Sequence, residues 1–462
     1  MIRNAFVIFC LTSASIFAAN MPPVDAQKLA LEIFKQMIES KSGFDTGTTT
    51  PIAEAVAARF KAAGFPESDI FVGGVNSRKA NVVVRYHGSG AHKPMLLLAH
   101  IDVVEAKRED WTSDPFTFLE KDGYYYGRGT SDDKAQAAVW VANLLRYKRE
   151  GFKPDRDVIL ALTADEEGGG PFNGVDWLLK NHRNLIDADF ALNEGGRGEM
   201  WHGKRISNDI GLAEKTYADF RFEVRNKGGH SSRPVPDNAI YHLAAALTKL
   251  SDYSFPPEVN DVTKAYFGQM SKMETGDVGK TMLEVSQDSH EAMEKLAALS
   301  PSYNSMLRTT CVATQLEGGH APNALPQLAA ANVNCRILPQ DKVEDVFAAL
   351  TKLAEPDQVK VSIKVNEGAA PPSPLRPDVM KAFSQVTDTL WPGVITLPSM
   401  STGASDGRYL RADGIPTYGV QGFFDERDGG RAHGRDERIP VQSFYEGQTF
   451  LYDLVKKLSG GA

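Results

Sequence analysis

Five short stretches carry side chains that can hold metal ions or move protons. His100-Ile-Asp102 closes the apolar run 95–99. Residues two apart in an extended segment point to the same side, so Asp102 can hold the far ring nitrogen of His100 and fix its tautomer. Asp132 and Asp133 follow Gly127-Arg-Gly-Thr-Ser, where glycines permit a tight turn before a helix that opens near Ser131. A carboxylate held there can bridge two cations; equally, both can be acids favoured by the dipole at a helix start. Glu166 and Glu167 directly follow the apolar run 158–162. Adjacent glutamates point in different directions, so one can bind metal while its neighbour takes a proton. Glu194 follows the next strand, and His433 lies in a polar loop before the last helix. Each feature is ordinary alone. Together they place histidine and carboxylate, without thiolate, at strand ends of one α/β domain, where such sheets keep their active-site crevice. That ligand set suits zinc or another divalent ion, and its richness in carboxylate suits two ions about 3.5–4 Å apart with a water between them.

The elements that must position these groups alternate in type. The spacing predicts a helix over 26–39 with Ala30, Phe34 and Met37 on one stripe, and a second opening at Thr50-Pro51. Strands are expected at 81–86, 95–100, 158–162 and 189–193, with helices between them at 131–145 and 175–180. This alternation predicts an α/β domain with a largely parallel sheet. Near residue 213 the character changes. Residues 216–225 alternate polar and apolar like a half-exposed strand, a helix follows at 238–250, and 252–308 is polar and helical with loops. Strands at 309–316 and 328–337, a helix at 343–354 and a strand at 358–365 make an α+β unit. After Pro371, Pro372 and Pro374 the α/β pattern returns, with a strand at 417–420 and a final helix from Val441 to Lys456. The expected domains are therefore a discontinuous α/β body, 20–212 with 368–462, interrupted by an α+β insertion over 213–367.

The length of 462 residues exceeds one ordinary core and fits two domains. A net charge of -8, spread along the chain, excludes a basic nucleic-acid surface. Arg3 followed by the apolar stretch 5–17 and then Ala18-Ala19 reads as a signal peptide over 1–19, which implies a secreted or periplasmic protein with no later membrane span; the alternative is an N-terminal anchor that is retained. Without Cys10, the remaining Cys311 and Cys335 are symmetric about residue 323. If their strands form a hairpin they can pair as a disulfide; otherwise they are two buried thiols.

Taken in combination, Leu-Leu-Ala-His-Ile-Asp, Gly-Arg-Gly-Thr-Ser-Asp-Asp-Lys, Asp-Glu-Glu-Gly-Gly, Gly-Gly-His-Ser-Ser-Arg-Pro and Ala-His-Gly-Arg-Asp-Glu make the chain resemble the aminoacylase/carboxypeptidase family of co-catalytic zinc exopeptidases. The resemblance covers nearly the whole mature chain and is nearest the larger carboxypeptidase and N-acyl amino acid hydrolase branch. It implies an α/β catalytic domain with an inserted α+β lid and dimerisation domain, and two Zn2+ ions, with Co2+ or Mn2+ as other candidates. Asp132 would bridge the ions, His100 and Glu194 complete one site, and Glu167 and His433 the other. Glu166 would be the general base and Asp102 would orient His100. In the lid, His230 matches a histidine that reaches a neighbouring subunit's active site to stabilise an oxyanion. Asn323 and Arg336 match positions that grip the substrate carboxylate, and Gly403 matches a backbone element near the substrate. The implied reaction is hydrolysis of an amide bond in a small peptide or N-acyl amino acid by a homodimer. Two departures stand out: Lys134 is followed by Ala-Gln where the family commonly has glycine, and 252–308 lengthens the lid. The alternatives are a di-zinc aminopeptidase and a non-catalytic binding protein on the same fold.

Overall fold

The computed structural model describes residues 21–168, 172–426 and 429–460. The expected leader, 1–19, lies outside the described residues. Among these no helix is long and apolar enough to cross a membrane. The chain divides into two compact units, Met1–Ile210 with Leu375–Thr396 and Ile415–Ala462, and Gly211–Pro374 with Leu397–Gly414.

In the first unit, Met95–His100 runs parallel to Val158–Thr163 on one side and to Phe190–Asn193 on the other. Thr417–Gly419 continues the parallel order beside Phe190–Asn193. The other edge is antiparallel: Ala80–Tyr86 pairs with Val158–Thr163, and Ile70–Gly74 pairs with Ala80–Tyr86. The sheet is thus mixed, with a parallel centre. Every residue of Met95–His100 and Val158–Thr163 is buried, which explains their continuous rather than alternating apolar runs. The register sets His100 level with Thr163, and Asn193 level with Gly419. The carboxyl ends of the four parallel strands therefore share one rim.

Helices Val24–Ile38 and Val441–Leu458 pack on Lys134–Glu150, which packs on the Met95–His100 strand. Trp140, fully buried, donates its indole N–H to the Leu98 carbonyl at 3.2 Å. The helix starts at Lys134, three residues later than expected. The preceding residues are taken up by a turn instead. The buried Nζ of Lys134 donates to the carbonyls of Met37 at 2.9 Å and Ser40 at 3.0 Å, at and just beyond the end of Val24–Ile38.

The second unit is built on an antiparallel sheet in the order Thr310–Gly318, Leu328–Ile337, Thr216–Arg225, Lys360–Asn366. Inward residues of Thr216–Arg225 alternate with half-exposed ones, and Phe220, Phe222 and Val224 pack with Leu243 and Leu250 of helix Ala239–Asp252 and with Val346 and Leu350 of helix Val343–Ala354. Residues 252–308 form four short helices, Asp261–Met270, Gly276–Ser286, His290–Ala297 and Pro301–Leu307, around a core of their own that includes Phe267, Met282 and Leu296. Buried Lys215 ties that core to the sheet, donating to the carbonyls of Ser305 at 2.9 Å and Arg308 at 2.6 Å; burial pushes its pKa down to about 7.

Leu397–Gly414 belongs with the second unit, whereas the sequence pattern places it in the α/β body. The cause is a set of contacts distant in sequence. The Lys215 N–H donates to the Ser401 carbonyl at 3.0 Å. The Glu214 carboxylate accepts from the Ser405 N–H at 3.0 Å and the Ser405 hydroxyl at 2.6 Å, and pairs with Arg411 at 2.8 Å.

Cys311 and Cys335 are direct cross-strand partners with Cα atoms 4.1 Å apart, joined as a disulfide. In the purified protein, alkylation without reductant should therefore label neither residue, and reduction should expose both. Equal labelling in the two samples, read by peptide mass, would remove the bridge.

Candidate metal centre

His100 ends a buried strand, and its ring has only one open direction. Its Nε2 lies 2.9 Å from Asp132 Oδ1 and 3.8 Å from Glu194 Oε1. The other oxygen of Asp132, Oδ2, is 3.1 Å from His433 Nε2, and that same nitrogen is 3.0 Å from Glu167 Oε1. Potential ligand atoms of His100, Glu166 and Glu194 lie within 4.8 Å of one another, as do those of His100, Asp132 and Glu167. His100, Asp132, Glu166, Glu167 and Glu194 thus converge on the sheet rim in two overlapping groups that share His100, and His433 joins them through Asp132 and Glu167. A carboxylate that turns one oxygen to each of two donor sets has the disposition of a bridging ligand.

The charges of the cluster shift one another. Burial works against the Asp132 charge, but the bonded imidazoles of His100 and His433 hold its carboxyl well below the usual range. Burial, reinforced by the neighbouring Asp132 charge, pushes Glu194 well above its ordinary value. Burial would lower His100; Asp132, Glu194 and Glu166 around it instead hold it well above the ordinary imidazole value. Asp132 and Glu167 raise His433 to about 10. So many carboxylates side by side in a partly buried site call for positive charge among them. With nitrogen and oxygen donors and no sulfur, the group fits divalent ions of the zinc type.

The loops are held by groups behind them. The strand-end geometry expects the Asp102 side chain to hold His100. The Asp102 carbonyl lies 3.1 Å from His100 Nδ1, and its carboxylate oxygen Oδ1 lies within ion-pair distance of the same nitrogen at 3.7 Å. The carboxylate accepts the N–H groups of Glu166 at 3.1 Å and Glu167 at 3.0 Å. Asp102 therefore fixes both the histidine and the acidic loop. Asp165, with φ at 60°, is held in this left-handed conformation by an ion pair to Lys79, which also donates to the Phe44 carbonyl. Gly419 lies against the Glu194 carbonyl, which a Cβ would approach to 2.6 Å. Lys79 and Glu437 escape a reading by ligand type, since neither faces the cluster directly; only the Asp-Glu-Glu turn and the late Gly-Arg-Asp-Glu hint at them.

His230, Asn323, Arg336 and Gly403 all belong to the second unit. There they fall into two neighbourhoods. Gly229–His230 pairs with Ala324–Leu325, and the Ser231 N–H donates to the Asn323 carbonyl at 3.0 Å. His230 itself is exposed, with Nδ1 2.8 Å from the Ser232 hydroxyl. Arg336 lies 4.7 Å over the Tyr217 ring, and its Nη1 reaches the Thr402 carbonyl at 3.4 Å, next to Gly403.

A histidine and acid cluster at the carboxyl rim of the parallel strands of a mixed sheet gives the chain the donor set of a divalent-metal enzyme. The chain belongs to peptidase family M20/M25/M40, whose model it matches over residues 96–457. It is 28% identical over 393 residues to "Probable carboxypeptidase S-like 2" of Dictyostelium discoideum, covering 82% of this chain and 74% of that protein. It is 29% identical over 380 residues to the human "N-fatty-acyl-amino acid synthase/hydrolase PM20D1", covering 79% and 74%. The fold resembles that of an M20 family metallo-carboxypeptidase from Sulfolobus solfataricus, with a TM-score of 0.71 at 18% identity over 93% of this chain and 99% of that one. The expected family and the expected fold both hold, and the protein is a metal-dependent hydrolase.

Asp102→Asn keeps the shape of the side chain but turns an N–H donor toward one of the two backbone N–H groups it now accepts. Loss of such a support typically costs about 10–100-fold in metal affinity or activity. Turnover of Asp102→Asn should fall by that order, with an unchanged circular dichroism spectrum; full turnover would refute the role.

Proposed function

We propose that the first unit hydrolyses the amide bond of a small peptide, or of an N-acyl amino acid, that carries a free carboxylate. Two zinc ions would serve it, one between His100 and Glu194, the other between Glu167 and His433, with Asp132 shared. The single observation that carries this reading is the pair of distances from Asp132, 2.9 Å to His100 and 3.1 Å to His433, from opposite oxygens. Such a pair of ions, when bound, supplies a water of lowered pKa and a Lewis-acid contact for a carbonyl oxygen.

Glu166 is assigned the proton transfers. Its carboxylate lies with His100 and Glu194, and its N–H is fixed by Asp102, so its reach over the cluster is set by backbone. It takes the proton of the attacking water and delivers it to the leaving nitrogen. His230 is assigned to the developing oxyanion. Asn323 and Arg336 are assigned to the substrate carboxylate, beside the backbone at Gly403. The names of the relatives, a carboxypeptidase and an N-fatty-acyl-amino acid synthase/hydrolase, support a substrate that keeps a carboxylate.

Glu166→Gln should lower turnover by about 10²–10⁴-fold with metal content unchanged by elemental analysis. Wild-type protein with added zinc should cleave N-acylated amino acids or dipeptides and lose activity when the terminal carboxylate is amidated. Cleavage that instead requires a free amino terminus would make it an aminopeptidase. Failure to cleave any substrate, with no bound metal, would make it a binding protein.

We also propose a homodimer formed through the second unit. Among the described residues, Thr310–Gly318 is an outer strand with no partner on its other edge in the sheet order, and its Val312 and Leu316 are 60% and 71% exposed, a surface that invites pairing. The disulfide that pins this strand supports a secreted or periplasmic location. Sedimentation of the wild type should give a dimer, and Leu316→Lys should shift it to monomer; a monomeric wild type would end this reading.

A further inference from the structure

We infer that Glu437 is a positioning residue that fixes the backbone carrying Asp132, so that the two oxygens of that carboxylate face two different ligand sets. This rests on the two-ion reading above. Asp132 lies in a turn, 127–133, outside any strand or helix. The turn passes through positive φ at Gly127 and Gly129 (151° and 92°). Backbone bonds hold part of it, from the Arg128 N–H to the Pro115 carbonyl at 2.8 Å and from the Thr130 N–H to the Gly127 carbonyl at 3.2 Å, but the N–H groups nearest the ligand, those of Ser131 and Asp132, go to a side chain, and a bridging ligand that rotates by a few tens of degrees faces one ion instead of two.

Glu437 supplies the missing constraint. It is completely buried. Its Oε1 accepts the N–H groups of Ser131 at 2.7 Å and Asp132 at 3.1 Å. Its Oε2 accepts the Gly129 N–H at 3.0 Å and the Arg128 guanidinium at 2.7 Å. Three backbone N–H groups of one turn converging on one anion make a nest of the kind that elsewhere binds phosphate; here a side chain of the same protein fills it. Both oxygens are fully engaged, so Glu437 has no lone pair directed at the reaction and acts through Asp132.

The same residue also ties in the second ligand loop. His433 is four residues away and sits at φ 60°, a conformation that a free loop would not keep. Arg128 spans the gap, pairing with Glu437 through Nη1 while its Nη2 reaches the His433 carbonyl at 3.4 Å. The Glu437 carbonyl accepts the Gly127 N–H at 3.1 Å. Turn and loop, some 300 residues apart in the chain, are thereby fastened to each other, which keeps Asp132 on the turn against His433 on the loop.

The test is zinc affinity, measured by competition with a chelator on the wild type, Glu437→Gln and Arg128→Lys, with the thermal midpoint of each metal-free protein recorded alongside. Glu437→Gln keeps the shape and turns donors toward two of the four donors it now accepts. Zinc affinity should fall about 10–100-fold, and KM should match the wild type once zinc is saturating. Arg128→Lys keeps the buried charge pair but cannot span to the His433 carbonyl, so its zinc affinity should fall by a smaller factor. A lower thermal midpoint with wild-type zinc affinity would reduce Glu437 to a structural residue and overturn the inference. If Glu437→Gln does not fold, Arg128→Lys decides, and wild-type affinity there overturns it equally. If the wild type itself binds no zinc, the two-ion reading fails first, which is a distinct result.

Discussion

Carboxylates of like charge repel, and four of them meet here beside two imidazoles. Asp132, Glu166, Glu167 and Glu194 are brought to one rim of one sheet, and a chain keeps such a group together only by fixing the backbone on which each is mounted. Much of the first unit serves that need. Parallel strands buried on both faces end close to one another, so three of the ligand-bearing segments start from a common edge. Beyond that edge the chain runs as loops, and each loop is held by an ion or a carboxylate set behind it.

These supports follow one pattern. Asp102 accepts the N–H groups of Glu166 and Glu167, Glu437 accepts those of Ser131 and Asp132, and Lys79 and Lys134 tie loop segments to carbonyls of the N-terminal region. Each support is almost wholly shielded from water, where hydrogen bonds to a charged group are strong and costly to break. The positive φ of Asp165, Arg431, His433 and Asp436 is the conformational cost that these bonds offset.

Much of this was legible from the residues. The continuous apolar runs at 95–99 and 158–162 marked buried strands because a doubly covered sheet leaves no polar face. The ligand types were legible because few side chains bind divalent ions, and their place after strands marked a rim. The four-helix segment was legible only as polar and helical, since each helix contributes few apolar residues and their shared core appears only on assembly. Several elements went unseen, among them the strands Ile70–Gly74, Ile395–Ser401 and Lys204–Glu214, the last with a charged start that masks its alternation, and the helix Pro377–Leu390, which follows a proline-rich stretch read as a linker.

By itself the sequence determined which side chains can ligate, which strands are buried, and that two domains of different character share one chain, because residue chemistry and short-range periodicity are local properties. Tertiary structure alone decided that Asp132 turns one oxygen to His100 and the other to His433, that the Asp102 carboxylate also accepts from the acidic loop, and that Leu397–Gly414 belongs with the second unit. Each of these depends on the direction of a backbone N–H or a carboxylate oxygen fixed by a partner tens to hundreds of residues away, and direction at that range is not encoded in any local spacing.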